Sequence, residues 1–334
     1  MPTDEKILAA LFLCETIPHE VLEELKPEWN GLIALPANEK AHMLDTSLDG
    51  IFPWKDELSN GVDHVEFSRS FLIQASLYLR LRPGKEQEVK EKLHKAGISY
   101  NLINHSCLAL ANSEQVDKTI ELDKEAVVQD YNSQRVGEFL DPSTFRLSSL
   151  NAPLRVYDCC AASGGKSILA YDLLKNINLT VSDIRESILI NLKNRFERAG
   201  IRNYKAFVQD LTSISKKPSV KKEDAFDLII ADAPCSGSGT WRRTPEQLYY
   251  FRHEKIEYYS NLQKTILENI VPLIKDGGYL LYITCSVFRK ENEEVISHLQ
   301  KQFNLKIVKM DLLKGYDKQA DTLFAALLQT GPTF

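Results

Sequence analysis

The chain is defined first by what it does not contain. No run of eighteen apolar residues occurs and the longest apolar stretches are strand-sized, so no helical membrane span is expected. The opening MPTDEKILAALFLCETIPHE lacks a basic n-region and a small-residue cleavage site, so no secretory leader is expected. Cysteine is scarce, with six among 334 residues, at 14, 107, 159, 160, 235 and 285. That number excludes a disulfide scaffold, and the absence of any CxxC leaves metal binding and dithiol redox chemistry without their usual motif. A GxGxxG dinucleotide fingerprint is missing too. A P-loop fails because Cys160 stands where a glycine five residues before Gly165 is required. There is no internal repeat and no low-complexity tract. Nor is there an excess of positive charge: the net of −5 excludes a uniformly basic nucleic-acid coat. A reduced, cytoplasmic enzyme, without membrane or metal partner and monomeric, is the expectation.

The charge that is present is unevenly spread. Residues 1–65 hold 4 basic and 13 acidic side chains, 66–150 hold 11 and 12, and 151–334 hold 26 and 21. An acidic partner such as RNA would therefore meet the middle and C-terminal parts. Three parts are expected: an acidic, largely helical segment over 1–65, a small α+β module over 66–125, and a larger α/β domain over 126–334. In the first, Ile17, Val21, Leu22 and Leu25 recur at helical spacing. In the second, FLIQASLYLRLR (71–82) reads as a strand, KEQEVKEKLHK (85–95) as a helix, and 99–111 as a strand pair. Arg80, Arg82, Lys85, Lys90, Lys92, His94 and Lys95 would line one edge of that module.

From 126 onward, apolar runs alternate with helix-length segments: LRVYD (154–158), LTVSD (179–183), KAFVQD (205–210), FDLIIAD (226–232) and GYLLYITC (278–285). Valine, isoleucine and leucine dominate them, as in strands covered on both faces, and the alternation predicts an open, doubly wound α/β sheet. Ligands of such sheets lie beyond the carboxyl ends of the strands. Those ends carry Asp158-Cys159, Asp183, Asp210, Asp232 and Cys285, a series of carboxylates and thiols that a purely structural sheet does not need. Between the first strand and its helix, CCAASGGKS (159–167) offers glycines that let backbone amides approach a ligand closely. Asp183 is placed to accept from ribose hydroxyls and Asp210 from an adenine amino group. A nucleoside cofactor without a phosphate-binding motif suggests S-adenosyl-L-methionine.

ADAPCSGSGT (231–240) and YITCS (282–286) bring two cysteines to one face of the sheet. A thiol of ordinary pKa near 8.5 is only about 3% ionised at pH 7, so a nucleophilic cysteine needs help, for which Lys166 is a candidate. A thiol nucleophile, an acid and a methyl donor together fit methylation of carbon 5 of a pyrimidine. That carbon becomes nucleophilic only after thiolate addition at carbon 6. The chemistry by itself does not say which of Cys235 and Cys285 attacks.

Four motifs resemble the Fmu/Sun-type (RsmB-like) RNA cytosine-5 methyltransferases, over about residues 70–330. DCCAASGGKS is similar to that family's cofactor loop, DAPCSGSGTWRRTPE to its D-x-P-C-S-G segment, GGYLLYITCSVFRKENEEVI to its T-C-[ST] motif followed by E-N-E, and VVQDYNSQRVGEFLDP (127–142) to the V-Q-D-x-x-S-Q helix. The resemblance implies a Rossmann-like class I fold dependent on S-adenosyl-L-methionine. It implies Cys285 as nucleophile and Cys235 in product release. Cys160, Ala161, Ala162, Ser163, Gly164, Gly165 and Lys166 would hold the methionine part of the cofactor, Asp183 the ribose and Asp210 the adenine. Asp232 would lie between cofactor and base, with Arg243 and Asn292 shaping the site or touching RNA. It further implies RNA as substrate, ribosomal first and transfer RNA second, and a small RNA-binding extension at 66–125. Ser163 stands where a proline is usual, Ile188 where a basic residue is common, and 303–334 is read as a short end with no appended domain. The alternatives are a catalytically silent RNA-binding assembly factor and a methyltransferase acting on DNA, protein or a small molecule.

Overall fold

The computed structural model describes residues 2–145, 152–213 and 225–331. Seven strands make the large sheet: β5 (Leu154–Asp158), β6 (Ile177–Asp183), β7 (Tyr204–Val208), β8 (Phe226–Asp232), β9 (Ile274–Thr284), β10 (Leu305–Leu313) and β11 (Leu323–Thr330). Their spatial order is β10-β11-β9-β8-β5-β6-β7. The pairs β9–β8, β8–β5, β5–β6 and β6–β7 are parallel, and β11 lies antiparallel between β9 and β10.

Strand period decides where the core goes. Val156, Leu228, Ile230, Leu281 and Ile283 point to one face, under helices Gly165–Leu174 and Glu186–Ala199. Tyr157, Ile229, Ala231, Leu280 and Tyr282 point to the other, under helices Glu254–Ile270 and Glu293–Gln302. Both faces are covered, which is why these strands read as unbroken apolar runs. The chain departs in opposite directions from β5, to β6 on one side and β8 on the other. This is the topological switch point where a ligand crevice opens.

A second, four-stranded sheet is built from β1 (Leu77–Leu81), β2 (Asn101–Asn104), β3 (Cys107–Leu110) and β4 (Ala126–Val128), in the order β2-β3-β1-β4. Helix Glu86–Lys95 packs Val89 and Leu93 against Leu79, Leu81 and Leu108. The small sheet thus takes its edge strand from just beyond position 125. The first residues form short helices around Phe12, Leu22 and Ile33. Lys40 is buried there and donates to the carbonyls of Phe12 (3.0 Å) and Glu15 (2.6 Å), satisfying the end of helix Thr3–Cys14.

Several expectations need correction. The apolar helix face expected through Ile17, Val21, Leu22 and Leu25 does not form: the helix is limited to Glu20–Leu25, Pro27 starts a new one, and of the four only Leu22 is buried. Strand β1 is limited to Leu77–Leu81. Arg80 and Arg82 do not line a free edge: both are ion-paired with buried Asp172 on helix Gly165–Leu174, at 2.6 and 2.5 Å. Lys85 and Lys92 are paired with Glu88 and Glu125, leaving His94 and Lys95 exposed. Two further strands, β10 and β11, lie beyond the five apolar runs read from the sequence and extend the sheet. Finally, β7 stops at Val208, so Asp210 lies two residues past its strand.

Candidate active site

The loop after β5 is shaped by its own backbone. Ala161 N–H donates to the Ser182 carbonyl (2.9 Å) and Ala162 N–H to Asp183 Oδ2 (3.0 Å), so the loop is stitched to the end of β6. Ala162 and Gly164 both have positive φ, +44° and +86°. A Cβ at Gly164 would come within 2.6 Å of Phe196, which explains the first glycine of the pair by close packing as well as by conformation. The helix begins at Gly165, and Ser163 is engaged through its carbonyl (3.1 Å) and hydroxyl (2.9 Å) by Arg195, whose other edge is held by Asp123. A hydroxyl at the usual proline position thereby ties the loop to the chain segment just before β4.

Asp183 is buried at the end of β6. Burial by itself raises its pKa, but the hydrogen bonds and charge of Arg185, with the Ala162 amide, hold it below the usual carboxylate range. It is thus an ionised acceptor, fit for a diol. Arg185 reaches Asp183 Oδ1 from an exposed position (2.9 Å). Asp210 accepts from Thr212 N (2.8 Å) and Thr212 Oγ1 (2.6 Å) in the loop that continues from β7. Beneath the crevice, Asp158 is fully buried, bonded to Ser167 Oγ (2.6 Å) and pushed up by burial to about 7.

Lys166 projects from the first turn of its helix and donates to Asp232 Oδ2 (3.0 Å) and Ser133 Oγ (2.9 Å). Burial lowers its pKa, yet the charge and hydrogen bond of Asp232 outweigh burial, the charge of Cys285 adds to them, and the net shift is upward. The ammonium is therefore maintained within electrostatic reach of Cys285.

Cys235 and Cys285, from the loops after β8 and β9, meet at 3.2 Å between sulfurs, and both are half-buried. Three contacts fix the loops to each other. Gly239 N–H donates to the Cys285 carbonyl (2.9 Å), and buried Glu291 accepts from Ser236 N (2.8 Å) and Ser286 Oγ (2.8 Å), the residues following the two cysteines. Gln263 on helix Glu254–Ile270 donates to the Pro234 carbonyl (3.0 Å) and to Glu291 (3.1 Å). Cys235 is pushed well above the ordinary thiol range, first by its hydrogen bond with Cys285, then by burial and the nearby charges of Cys285 and Glu291. The two sulfurs consequently sit in unequal fields: an ammonium acts on Cys285, a carboxyl group on Cys235.

Of the expected residues, Lys166, Asp232, Cys235 and Cys285 come together at the switch point, beside a cofactor loop bounded by Asp183. Asn292 is fully buried, accepts from Thr284 Oγ1 (2.5 Å) and donates to the Ser286 carbonyl (2.9 Å), so it shapes the Cys285 loop from within. Arg243 is ion-paired with Asp321 (3.0 Å). Two contributors were not singled out from the sequence: Glu291, inside the E-N-E motif, and Ser133, inside V-Q-D-x-x-S-Q. Both motifs were visible, but the partners of each lie far along the chain. Among the described residues, no group of three or more His, Cys, Asp or Glu is arranged to hold a metal ion, and no helix is long and apolar enough to cross a membrane.

Comparison with known proteins follows the same lines. The family model described as 16S rRNA methyltransferase RsmB/F matches residues 148–328. "Probable ribosomal RNA small subunit methyltransferase B" of Bacillus subtilis (strain 168) is 35% identical over 173 residues, covering 52% of this chain and 36% of that protein. Ribosomal RNA small subunit methyltransferase B of Xylella fastidiosa (strain 9a5c) is 32% identical over 169 residues, covering 51% and 37%. The matched stretches thus span little more than a third of those relatives. Among solved structures, PH0851 superposes with TM-score 0.70 at 25% identity, covering 94% of this chain and 69% of that one. NSun6 from Pyrococcus horikoshii, solved with SFG, superposes with TM-score 0.67 at 14% identity over 86% of this chain and 97% of that one, and shows the fold alone. The sheet is that of a Rossmann-like class I methyltransferase, as expected from the alternating runs.

Proposed function

Because the chain belongs to the family of 16S rRNA methyltransferases RsmB/F, we propose that it methylates carbon 5 of cytosine in RNA, with ribosomal RNA as substrate, through a covalent adduct between Cys285 and carbon 6. Family membership supports S-adenosyl-L-methionine as the cofactor. The donor set along the crevice fits it: an ionised, buried Asp183 for the ribose hydroxyls, the Cys160–Lys166 loop for the methionine part, and Asp210 for the adenine edge. The cofactor supplies an activated methyl group. Arg185 already engages Asp183, so ribose hydroxyls would take the place of an exposed guanidinium there.

The remaining work falls to side chains of this protein. The Cys285 sulfur bonds to carbon 6 while the ring nitrogen N3 takes up a proton, making carbon 5 an enamine-type nucleophile. Asp232, anchored by Lys166, orients the cytosine ring and its amino edge. After the methyl group arrives at carbon 5, the proton on that carbon must be removed before Cys285 can leave and the 5–6 double bond re-form. Cys235 assists this release. The reading rests above all on the unequal surroundings of two sulfurs 3.2 Å apart, with Lys166 acting on Cys285 and Glu291 on Cys235. The T-C-[ST] motif, which the family resemblance assigns to the nucleophile, supports Cys285 as the attacking sulfur. We assign catalysis to 126–334, whose first strand β4 joins the small sheet, and an RNA-holding role to the small sheet domain; 1–65 contributes short helices and packs Phe52 against Trp241.

Single-turnover transfer from labelled cofactor to small-subunit ribosomal RNA tests the function, with label expected at carbon 5 of cytosine. RNA binding without transfer would leave only an assembly factor. Cys285→Ala is expected to abolish both transfer and the adduct on denaturing gels, whereas Cys235→Ala lets the adduct accumulate. The opposite pattern reverses the two roles.

A further inference from the structure

We infer that the tyrosines following the Cys235 loop form a stacking platform for single-stranded RNA flanking the target base, a proposal that rests on the RNA-methylating reading above. Tyr249, Tyr250 and Tyr258 are 85%, 70% and 54% exposed, values at odds with the ordinary tendency of large aromatic rings to bury. Their neighbours do bury. Leu248, on the short helix Glu246–Tyr250, and Phe251, which follows it, pack with Trp241 in an aromatic cluster that includes Phe52, Phe67 and Phe288. Trp241 is in turn anchored by its indole N–H to the Ser236 carbonyl (3.1 Å), one residue from Cys235. The partly buried residues on either side of Tyr249 and Tyr250 thus anchor their segment to the Cys235 loop.

The second pair lies as close. Tyr258 and Tyr259 have ring centroids 5.3 Å apart on helix Glu254–Ile270, one turn before Gln263, whose amide holds the Pro234 carbonyl. Gln263 also donates to Glu291, which accepts from the Ser236 amide next to Cys235, so this helix lies against the Cys235 loop. Tyr249 and Tyr250 stand edge to face, 5.1 Å apart, so bases of an unpaired strand would find rings in two orientations.

Charge favours a nucleic acid over an apolar partner. Between 242 and 264, Arg243 is ion-paired with Asp321 and Arg242 donates to the Ala320 carbonyl, which leaves Arg252, Lys255 and Lys264 to face a phosphate, against Glu246, Glu254 and Glu257. Glu257 is partly neutralised by Lys290 (3.3 Å). Lys255 Nζ sits 4.8 Å over the Tyr258 ring, placing a cation where a phosphate would pass a stacked base. Exposed aromatic faces interleaved with cations are the means by which proteins hold unpaired strands with little sequence preference. An enzyme that extrudes a base must grip the strand on either side of it.

The test measures binding of a fluorescent, cytidine-containing single-stranded oligoribonucleotide and of its duplex to the full chain, alongside S-adenosylmethionine affinity as a control on folding. The double substitution Tyr249→Ala, Tyr250→Ala is expected to weaken single-strand binding by about 10- to 100-fold. Duplex binding and cofactor affinity should change less than about twofold, and the two Phe substitutions should retain the affinity, because stacking needs the ring and not the hydroxyl. Lys255→Ala should flatten the salt dependence. Single-strand binding within twofold of wild type in the Ala variants would overturn the platform and leave a protein-docking face; so would Phe variants as weak as the Ala ones. Wild-type protein that binds the strand through these rings but transfers no methyl group would refute the enzymatic reading and leave the platform standing.

Discussion

At the scale of single residues, the site depends on groups whose ionisation is set by surroundings. Asp158 lies fully buried beneath the cofactor loop, facing Ser167, Asp232 and Lys166, and burial raises its pKa to about 7. An unfolded aspartate titrates near 4, so the native state holds this proton over a range where the unfolded chain has lost it. The stabilisation is therefore fully present below about pH 4 and gone once the pH has risen through about 7. Asp158→Asn keeps the shape and an acceptor for Ser167 but carries no proton to lose. Wild-type protein is expected to lose up to about 3 kcal/mol more than the variant between pH 5 and pH 8. Denaturant melts of both at the two pH values measure this difference, and parallel pH trends would show that Asp158 titrates normally. Glu291 is not legible from sequence at this scale: a carboxylate in a charged stretch, KENEE, reads as solvent-facing, whereas the fold buries it among Ser236, Ser286 and Gln263.

At the scale of elements, the two cysteine loops are joined through backbone that admits no side chain. Gly239 donates to the Cys285 carbonyl and accepts from Thr322 N–H (2.9 Å in each case), and a Cβ there would stand 1.9 Å from the Thr322 carbonyl oxygen. Thr322 immediately precedes β11, so the glycine links a loop of the parallel strands to the antiparallel return. Gly239→Ala is expected to force the loops apart, costing about 1–3 kcal/mol in stability by overpacking and lowering methyl transfer at least tenfold. Thermal unfolding and single-turnover rates measured together decide it; wild-type values for both would mean that the close approach is not required. The strand ends were read correctly for β5, β6 and β8, because carboxylates closing apolar runs are a local pattern. For Asp210 the run overshoots its strand by two residues: Gln209 N–H still donates to the Asp183 carbonyl, but Asp210 lies in the loop that follows.

At the scale of the whole molecule, the small sheet is clamped to the catalytic domain by buried charge. Arg80 and Arg82 converge on Asp172, and Arg195 and Arg198 on Asp123 (2.7 Å each), with all four carboxylate oxygens engaged. Removing the shared carboxylate leaves two guanidinium groups facing each other out of water. Asp172→Ala is expected to cost about 3–5 kcal/mol. A melting temperature within about 2 °C of wild type would show that solvent replaces the carboxylate at no cost. Because Arg195 also holds Ser163, this clamp reaches the cofactor loop itself.

What the amino-acid order determined by itself is local or periodic: the alternating apolar runs of the parallel strands, the carboxylates and thiols at their ends, the glycines of the cofactor loop, and motifs whose residue types carry their chemistry. What only the tertiary structure decided depends on partners distant in the chain. The sequence shows arginines at 80 and 82 but not that Asp172 will bury them, and LFAALLQT (323–330) is an apolar run whose pairing antiparallel to β9 no local periodicity specifies. The same holds for the approach of Cys235 to Cys285 and for the ammonium and carboxyl group that make their surroundings unequal. Electrostatic fields and close packing are sums over neighbours in space, and those neighbours exist only once the sheet has ordered its strands.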